Sequence, residues 1–390
     1  MTQDYSRTLA SLPPYPFAEM ERIIRERKER KEEVYPFNIG DPDLPTPDFI
    51  VEAASKALSD PEYSGYSSSE GEVWFREAVA DWYSKRFGVQ LDPQTEVCAL
   101  IGSKEGLVNI TRVFANPGDG ILYPDPGYPA YPNGGALLAG FKPQPYSLEE
   151  VTYQPKVDGL VTKGVKIIFI NYPHNPTGAV VQENILRRII EICREQNILV
   201  CYDNAYSEIT FNGYRAPSIL QFSKDFDGLV EFHSCSKTFS MTGYRIGFAV
   251  GDRKAIRGLA KLKAQIDSGP PKFVQLAAKV ALESYSGVDK PRFVRDMVET
   301  YQKRLRTLVR VLHDLGTSVE LPQATFYLWH RVPNSSEIVA RNLAKFGILV
   351  TPGSAFGRMG ERYIRWSVTV KTDLIERASK YLLDGGFVIA

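Results

Sequence analysis

The feature that most constrains the fold is the alternation of short apolar runs with helical patterns between Asp48 and about Tyr285. The runs carry Val, Ile, Leu and Phe at consecutive positions, which is typical of strands buried on both faces of a mostly parallel sheet. They occupy residues 97–102, 120–124, 165–173, 197–203, 229–234 and 245–251. The pattern therefore predicts an α/β domain whose central sheet is flanked by helices.

A different pattern follows this alternation. A long charged helix is predicted over residues 294–316, with Gly316 as its C-cap, and short strands are predicted over 324–332, 347–353 and 363–369 before a terminal helix over 371–385. Since 390 residues exceed the size at which a single core keeps growing, two domains are expected. We predict a large domain over 46–284, and a smaller α+β domain that combines 1–45 with 285–390.

Composition excludes several classes of function. With 47 basic and 46 acidic residues the net charge is +1 and no basic stripe is present, so neither nucleic acid nor an anionic membrane is an expected partner. The four histidines never occur at i, i+4 and the four cysteines lack CxxC spacing, so no metal site is predicted. Without an export signal or an apolar run of about 18 residues, we expect a soluble cytoplasmic protein.

Polar motifs follow the predicted strands at their carboxyl ends, where open α/β sheets bind ligands. Each motif taken alone has an ordinary explanation as a helix cap, a turn or a solvated lysine. Together, five strand ends supply an anion site at a helix start, an aromatic ring, an amide, a carboxylate with a phenol, and a lysine flanked by serines. The motifs are GSKEG (102–106), DPGY (125–128), HNPTG (174–178), DNAY (203–206) and SCSK (234–237).

This set of groups matches the needs of pyridoxal 5'-phosphate. An unprotonated lysine forms a Schiff base with the aldehyde of this cofactor, and a carboxylate keeps its pyridine nitrogen protonated. Amide and phenol groups hydrogen-bond its ring oxygen, and an aromatic side chain stacks on its ring. Helix amides, serines and an arginine bind its phosphate. The coincidence therefore favours a cofactor site over a set of unrelated structural motifs.

The chain resembles the class I aminotransferases of the fold-type I, pyridoxal-phosphate-dependent superfamily along nearly its whole length. The resemblance implies that Lys237 binds the cofactor covalently and later moves the substrate proton. It also implies that Asp203 pairs with the pyridine nitrogen, that Tyr206 and Asn175 lie at the ring oxygen, and that Tyr128 stacks on the ring.

The phosphate ligands follow from the same resemblance. They would be Ser103, Lys104 through its backbone, Ser234, Ser236 and Arg245.

Two further parts of the chain resemble the family at its subunit interface and its substrate site. Tyr66, in YSGYSSSEG, matches a tyrosine that reaches the phosphate of the neighbouring subunit, so a homodimer with active sites at the interface is implied. Arg365, in YIRWSV, matches the arginine that binds the substrate α-carboxylate. Gly40, in IGDPDLPTP, matches a glycine that approaches this carboxylate, and Asn175 is also implied to contact the substrate.

Longer strings resemble the LL-diaminopimelate aminotransferases. They are LPPYPFAEM, IGDPDLPTP, ALIGSKEG, FHSCSKTFSMTGYRIGFAVG, IDSG and ATFYLW. This resemblance implies LL-2,6-diaminopimelate as amino donor and 2-oxoglutarate as acceptor, in the biosynthesis of diaminopimelate and lysine. The alternatives are an aspartate, alanine or aromatic aminotransferase, and a β-lyase of the same fold. A transcription regulator ranks last, because the residues before the large domain are too few for a DNA-binding domain.

Overall fold

The computed structural model describes residues 4–13, 18–157, 159–160 and 162–384. Residues 14–17, which lie within the string LPPYPFAEM, and the last residue of the predicted terminal helix are outside this description. The central element is a seven-stranded sheet with the strand order β2-β8-β7-β6-β5-β3-β4. Its strands are β2 (Val97–Leu100), β3 (Gly120–Asp125), β4 (Lys142–Ser147), β5 (Val165–Asn171), β6 (Leu199–Asp203), β7 (Leu229–Ser234) and β8 (Gly247–Gly251).

The sheet is buried on both faces, as its continuous apolar runs predict. In β6 every residue is buried, with Val200 and Tyr202 in one hydrophobic core and Leu199 and Cys201 in another. Side chains alternate between the two faces of a strand, so the two cores lie on opposite sides of the sheet. Packing of the two cores against the sheet therefore fixes the positions of the strand ends.

The strand β4 was not predicted from the sequence, because Pro143 and Pro145 interrupt its pattern. Proline cannot donate to a hydrogen-bonded ladder and is tolerated at an edge, and β4 lies at the edge of the sheet, next to β3. Strand β8 runs antiparallel to β7 and β2, whereas β3 to β7 are parallel where they pair, so the sheet is mostly parallel, as predicted.

The helices cover the sheet and build the C-terminal part. The long helix ends at Asp314, and Gly316 follows with a φ of 79°, one residue beyond the C-cap Leu315. The helices are α1 (Arg7–Ala10), α2 (Ala18–Glu29), α3 (Asp48–Leu58), α4 (Val73–Phe87), α5 (Ser103–Asn109), α6 (Thr111–Phe114), α7 (Glu183–Glu195), α8 (Cys235–Thr238), α9 (Arg253–Lys263), α10 (Lys272–Glu283), α11 (Arg292–Asp314), α12 (Ser336–Lys345) and α13 (Thr372–Asp384).

Short strands outside the central sheet connect the N-terminal segment to the C-terminal part. A parallel pair joins β1 (Tyr35–Pro36) to β10 (Ile348–Leu349). An antiparallel sheet contains β9 (Tyr327–Arg331), β12 (Tyr363–Ser367) and β11 (Thr351–Pro352).

Polar contacts reinforce this connection. The amide of Ser367 donates to the carbonyl of Phe37 over 2.7 Å, and Arg304 pairs with Asp43 at 2.7 Å. These contacts support the division into residues 46–284 and the two flanking parts, which stays a prediction.

Candidate active site

Asn171 organises the carboxyl edge of the sheet. This residue ends β5 and is paired in register with Asp203, which ends β6. Its Nδ2 donates to the carbonyl of Asp203 over 2.8 Å, and its Oδ1 accepts from the amide of Asn175 over 2.9 Å. Sequence reasoning missed Asn171, although a polar residue at the end of an apolar run is a visible signal. The side-chain amide of Asn171 therefore holds Asp203 and Asn175 in fixed positions relative to each other.

Asp203 is buried and hydrogen-bonded to a second missed residue, Tyr131. The Tyr131 hydroxyl donates to Oδ2 of Asp203 over 2.7 Å, and the Tyr131 ring stacks on Phe169 at 4.7 Å between ring centroids. Burial raises the pKa of the Asp203 carboxyl to about 6, against the hydrogen bond from Tyr131, which lowers it. The sequence signal is the spacing to Tyr128, three residues earlier, whose ring lies 5.7 Å from that of Tyr131.

Lys237 lies on the short helix α8, directly beyond the end of β7, and is partly buried. Its Nζ donates to the carbonyl oxygen of Gly40 over 2.7 Å. The pKa of the amine is lowered to about 8, mainly by burial; Asp41 opposes this shift, and Arg365 and Arg245 add to it. A larger share of this amine is therefore unprotonated at neutral pH than is usual for lysine.

Arg245 lies close to the start of α5, and two glycines make this approach possible. Gly102 precedes this helix with a φ of 76°, and a Cβ there would lie 2.6 Å from Nη2 of Arg245. A Cβ at Gly247 would lie 2.9 Å from the amide nitrogen of Ser103. Glycine at both positions thus allows the Arg245 guanidinium and the first amide of α5 to approach the chain closely, and both groups can bind an anion.

The other predicted phosphate ligands differ in exposure. Ser234 and Ser236, which flank Cys235 at the end of β7, are buried, whereas Lys104 and Arg245 are exposed. Arg245 donates to the carbonyl of Thr242 over 2.9 Å. The positive charges at this end of the site therefore face solvent.

Arg365 is 4% exposed and is held on several sides. Its guanidinium lies 4.1 Å from the ring centroid of Tyr327 and 4.8 Å from that of Phe356. Nη1 donates to Oδ1 of Asn175 over 2.8 Å, and Nη2 donates to the carbonyl of Asn38 over 3.1 Å. Its buried Nε has no hydrogen-bond partner among the residues that the structure describes, so one donor remains for a ligand.

Gly40 has a neighbour that sequence reasoning did not anticipate. A Cβ at this position would lie 2.0 Å from the hydroxyl oxygen of Tyr327, so any larger residue would displace that side chain. The same hydroxyl lies 3.0 Å from the hydroxyl of Tyr206. Tyr327 thus contacts three predicted site residues, Gly40, Tyr206 and Arg365, and its position in a buried strand gave no sign of this.

Tyr66 lies apart from this cluster in the single chain. Its side chain is 92% exposed, between Gly65, which faces Lys272, and Ser67, which is hydrogen-bonded to Gln275. No group of three or more His, Cys, Asp or Glu residues that could hold a metal ion occurs in the part of the chain that the structure describes. Within the same part, no helix is both long and apolar enough to cross a membrane.

Comparison with known proteins identifies the family. The family model for aminotransferase class I and II matches residues 32–382. The chain belongs to the class I and II aminotransferases. The family and the enzyme class predicted from the motifs are thereby confirmed. Members of this family act on amino acids and oxo acids.

Individual relatives are similar in sequence to this aminotransferase over nearly its full length. An LL-diaminopimelate aminotransferase of Aquifex aeolicus is 45% identical over 97% of this chain and 98% of its own. One from Desulforudis audaxviator is 44% identical over 97% of this chain and 96% of its own. The substrate-bound BacF structure from Bacillus subtilis has a TM-score of 0.93 and 29% identity, and covers 100% of this chain and 99% of its own. The predicted fold class is confirmed.

Proposed function

We propose that this aminotransferase moves an amino group from LL-2,6-diaminopimelate to 2-oxoglutarate, with pyridoxal 5'-phosphate as cofactor. The observation that carries the substrate assignment is the 44–45% identity to two LL-diaminopimelate aminotransferases over nearly the whole chain. Physiologically the reaction would run towards diaminopimelate and lysine. The cytoplasm is the proposed compartment, since all four cysteines are buried and free.

The described residues fit this cofactor at three points. Arg245 and the first amides of α5, which meet at Gly102, are groups that would hold a phosphate. With a pKa of about 6, Asp203 is mostly ionised at neutral pH, as a partner of a protonated pyridine nitrogen must be. Asn175 accepts from Arg365 through its Oδ1, so its Nδ2 is available to donate to a ring oxygen.

When bound, the cofactor supplies an aldehyde that reacts with amines and a ring that takes up the electrons of the broken Cα–H bond. Lys237 would attach it through Nζ, since burial keeps part of that amine unprotonated. Nζ, once free of the cofactor, would take the α-proton of the bound substrate. Lys237 would then return this proton on the cofactor side of the C–N bond, and hydrolysis by water would release the oxo acid while the amino group stays with the cofactor.

Arg365 would bind the α-carboxylate and so orient the Cα–H bond towards Lys237. Its unpartnered Nε would donate to the carboxylate, and the fixed plane of its guanidinium would orient this charge-assisted hydrogen bond. Stacking between Tyr327 and Phe356 keeps that plane in place. Burial excludes water from the pair, which strengthens the charge interaction.

The test is a panel of amino donors with 2-oxoglutarate as acceptor, in which glutamate formation is measured. LL-diaminopimelate should be the best donor, and Lys237→Ala should form no glutamate. If aspartate, alanine or an aromatic amino acid reacts while LL-diaminopimelate is inert, the substrate assignment is wrong. Release of ammonia without an oxo acid would instead indicate the β-lyase.

We also propose that the enzyme is a homodimer in which Tyr66 reaches the phosphate of the partner subunit. Its 92% exposure leaves the side chain accessible to a second subunit, and its place in YSGYSSSEG, where it resembles the tyrosine at the family's subunit interface, supports the proposal. Sedimentation analysis of the purified enzyme should give a dimer, and a monomer with full activity would contradict the proposal.

A further inference from the structure

Tyr327 connects two parts of the candidate site through the two ends of one side chain. It is 2% exposed on β9. Its ring lies under the guanidinium of Arg365 at 4.1 Å, and its hydroxyl lies 3.0 Å from that of Tyr206. Arg365 is the residue proposed to bind the substrate carboxylate, and Tyr206 is the residue proposed to bind the ring oxygen of the cofactor. No role follows for Tyr327 from the motifs in the sequence.

We propose that Tyr327 is a positioning residue that links the two ends of the site: its ring holds the guanidinium of Arg365, and its hydroxyl donates a hydrogen bond to Tyr206. The inference rests on the proposed function, since it concerns how these two residues meet the substrate and the cofactor. It adds a residue and a direction of hydrogen bonding to that function.

The direction of the hydrogen bond follows from what Tyr206 has to do. Burial and the neighbouring Tyr327 raise the pKa of the Tyr206 phenol well above its usual value, so Tyr206 keeps its proton. The charged groups that act on it are Arg365 and Asp203, which have opposite effects on its pKa. If its proton is donated to the cofactor ring oxygen, its own oxygen must accept from Tyr327. A phenol that accepts such a bond is a stronger donor.

The close approach of Gly40 confines the Tyr327 hydroxyl to this position. A Cβ at residue 40 would lie 2.0 Å from that oxygen, so only glycine leaves room for it. The carbonyl of the same glycine accepts from Lys237 over 2.7 Å. The hydroxyl therefore has the backbone of the N-terminal segment on one side and Tyr206 on the other, which keeps it pointing at Tyr206.

Two variants of the holoenzyme separate the functions of the ring and the hydroxyl. Tyr327→Phe keeps the ring, so 2-oxoglutarate should bind the cofactor-loaded enzyme within about twofold of the wild-type affinity. It removes the donated hydrogen bond, so the pKa read from the visible absorbance of the bound cofactor should rise by about half to one unit. Tyr327→Leu should show the same rise and also lose about fivefold or more in affinity for 2-oxoglutarate, since the ring is gone.

A double variant distinguishes positioning from general damage. Tyr206→Phe should itself raise the absorbance pKa, and adding Tyr327→Phe should bring no further rise, because the second hydroxyl acts through the first. An unchanged or lowered absorbance pKa in Tyr327→Phe, or additive rises in the double variant, would overturn the inference. Melting temperatures identify a variant that has merely lost stability. Wild-type protein that takes up no cofactor would contradict the proposed function instead.

Discussion

The two ends of the candidate site differ in how far they are organised before any ligand arrives. At the ring and carboxylate end, Asp203, Tyr206 and Arg365 are buried and hydrogen-bonded to other protein groups. At the phosphate end, Lys104 and Arg245 are exposed. The first end is fixed by packing and hydrogen bonds between buried side chains, while the second lies at the start of α5, where Arg245 approaches Gly102 and faces solvent.

This difference indicates how each end of the site would contribute to the free energy of ligand binding. Groups already held in place lose little conformational entropy on binding, so the buried end gives orientation and specificity. Exposed cations keep their hydration until a dianion arrives, so the proposed phosphate end would give affinity through charge and free amides. Substitutions at the buried end should therefore affect the reaction of the substrate, and those at the exposed end should affect retention of the cofactor.

The largest effect is expected for Arg365→Lys. Lysine keeps the charge but lacks the planar pair of donors, so kcat/KM for the amino donor should fall by about 100-fold or more. Cofactor affinity should stay close to wild type. The matched control is Arg331→Lys, on the paired strand β9, where the arginine is exposed and kcat/KM should be unchanged. Equal losses in both variants would remove the distinction between the two ends.

The second effect is the pH dependence of cofactor capture by the apoprotein. The reactive form of Lys237 is the unprotonated amine, and its pKa is lowered to about 8. The capture rate should fall about tenfold for each pH unit below that value and level off above it. Stopped-flow absorbance measures the rate, and a free lysine amide reacting with the same cofactor is the reference. A rate that keeps rising to pH 10 would contradict the effect of burial on this amine.

A smaller, selective effect is expected for Gly102→Ala. The new Cβ would lie 2.6 Å from Nη2 of Arg245, so affinity for pyridoxal phosphate should fall by roughly tenfold, while affinity for unphosphorylated pyridoxal should not change. Gly88→Ala is the control, because Gly88 also has a positive φ, 67°, but nothing lies within 4 Å of its added Cβ. That variant should lose only about 1 kcal/mol of unfolding free energy. Equal loss of both ligands in Gly102→Ala would argue against a phosphate site.

The smallest effect is expected for Tyr66→Phe, which removes one hydroxyl from the proposed contact with the partner subunit. Cofactor affinity should fall by about fivefold. Tyr5→Phe changes another exposed tyrosine, 81% exposed, and should have no effect. An unchanged affinity in Tyr66→Phe would remove the partner subunit from the phosphate site.

Much of the fold and part of the site could be predicted because both follow from local patterns. Buried strands are visible as continuous apolar runs, and polar residues such as Asp203, Asn175 and Lys237 lie at or just after the ends of these runs. We could therefore expect these residues to lie together at the carboxyl edge of the sheet. The edge strand β4 was missed because its prolines hide the pattern.

Two missed site residues, both tyrosines, have partners that are distant in the sequence. Tyr131 lies 72 positions from Asp203, and Tyr327 lies 121 positions from Tyr206, so only the folded chain brings each pair together. Both tyrosines also occupy positions where an aromatic residue is explained by packing alone, since each is almost fully buried.

The central claim is that Lys237 carries the cofactor, and borohydride reduction of the holoenzyme followed by peptide mapping tests it most directly. Reduction makes the link between an amine and the cofactor permanent, so the modified residue can be identified by mass. We expect the modification on Lys237, in the peptide that contains SCSKTFS. Modification of another lysine, such as the exposed Lys104 at the phosphate end, or no modification at all, would contradict it.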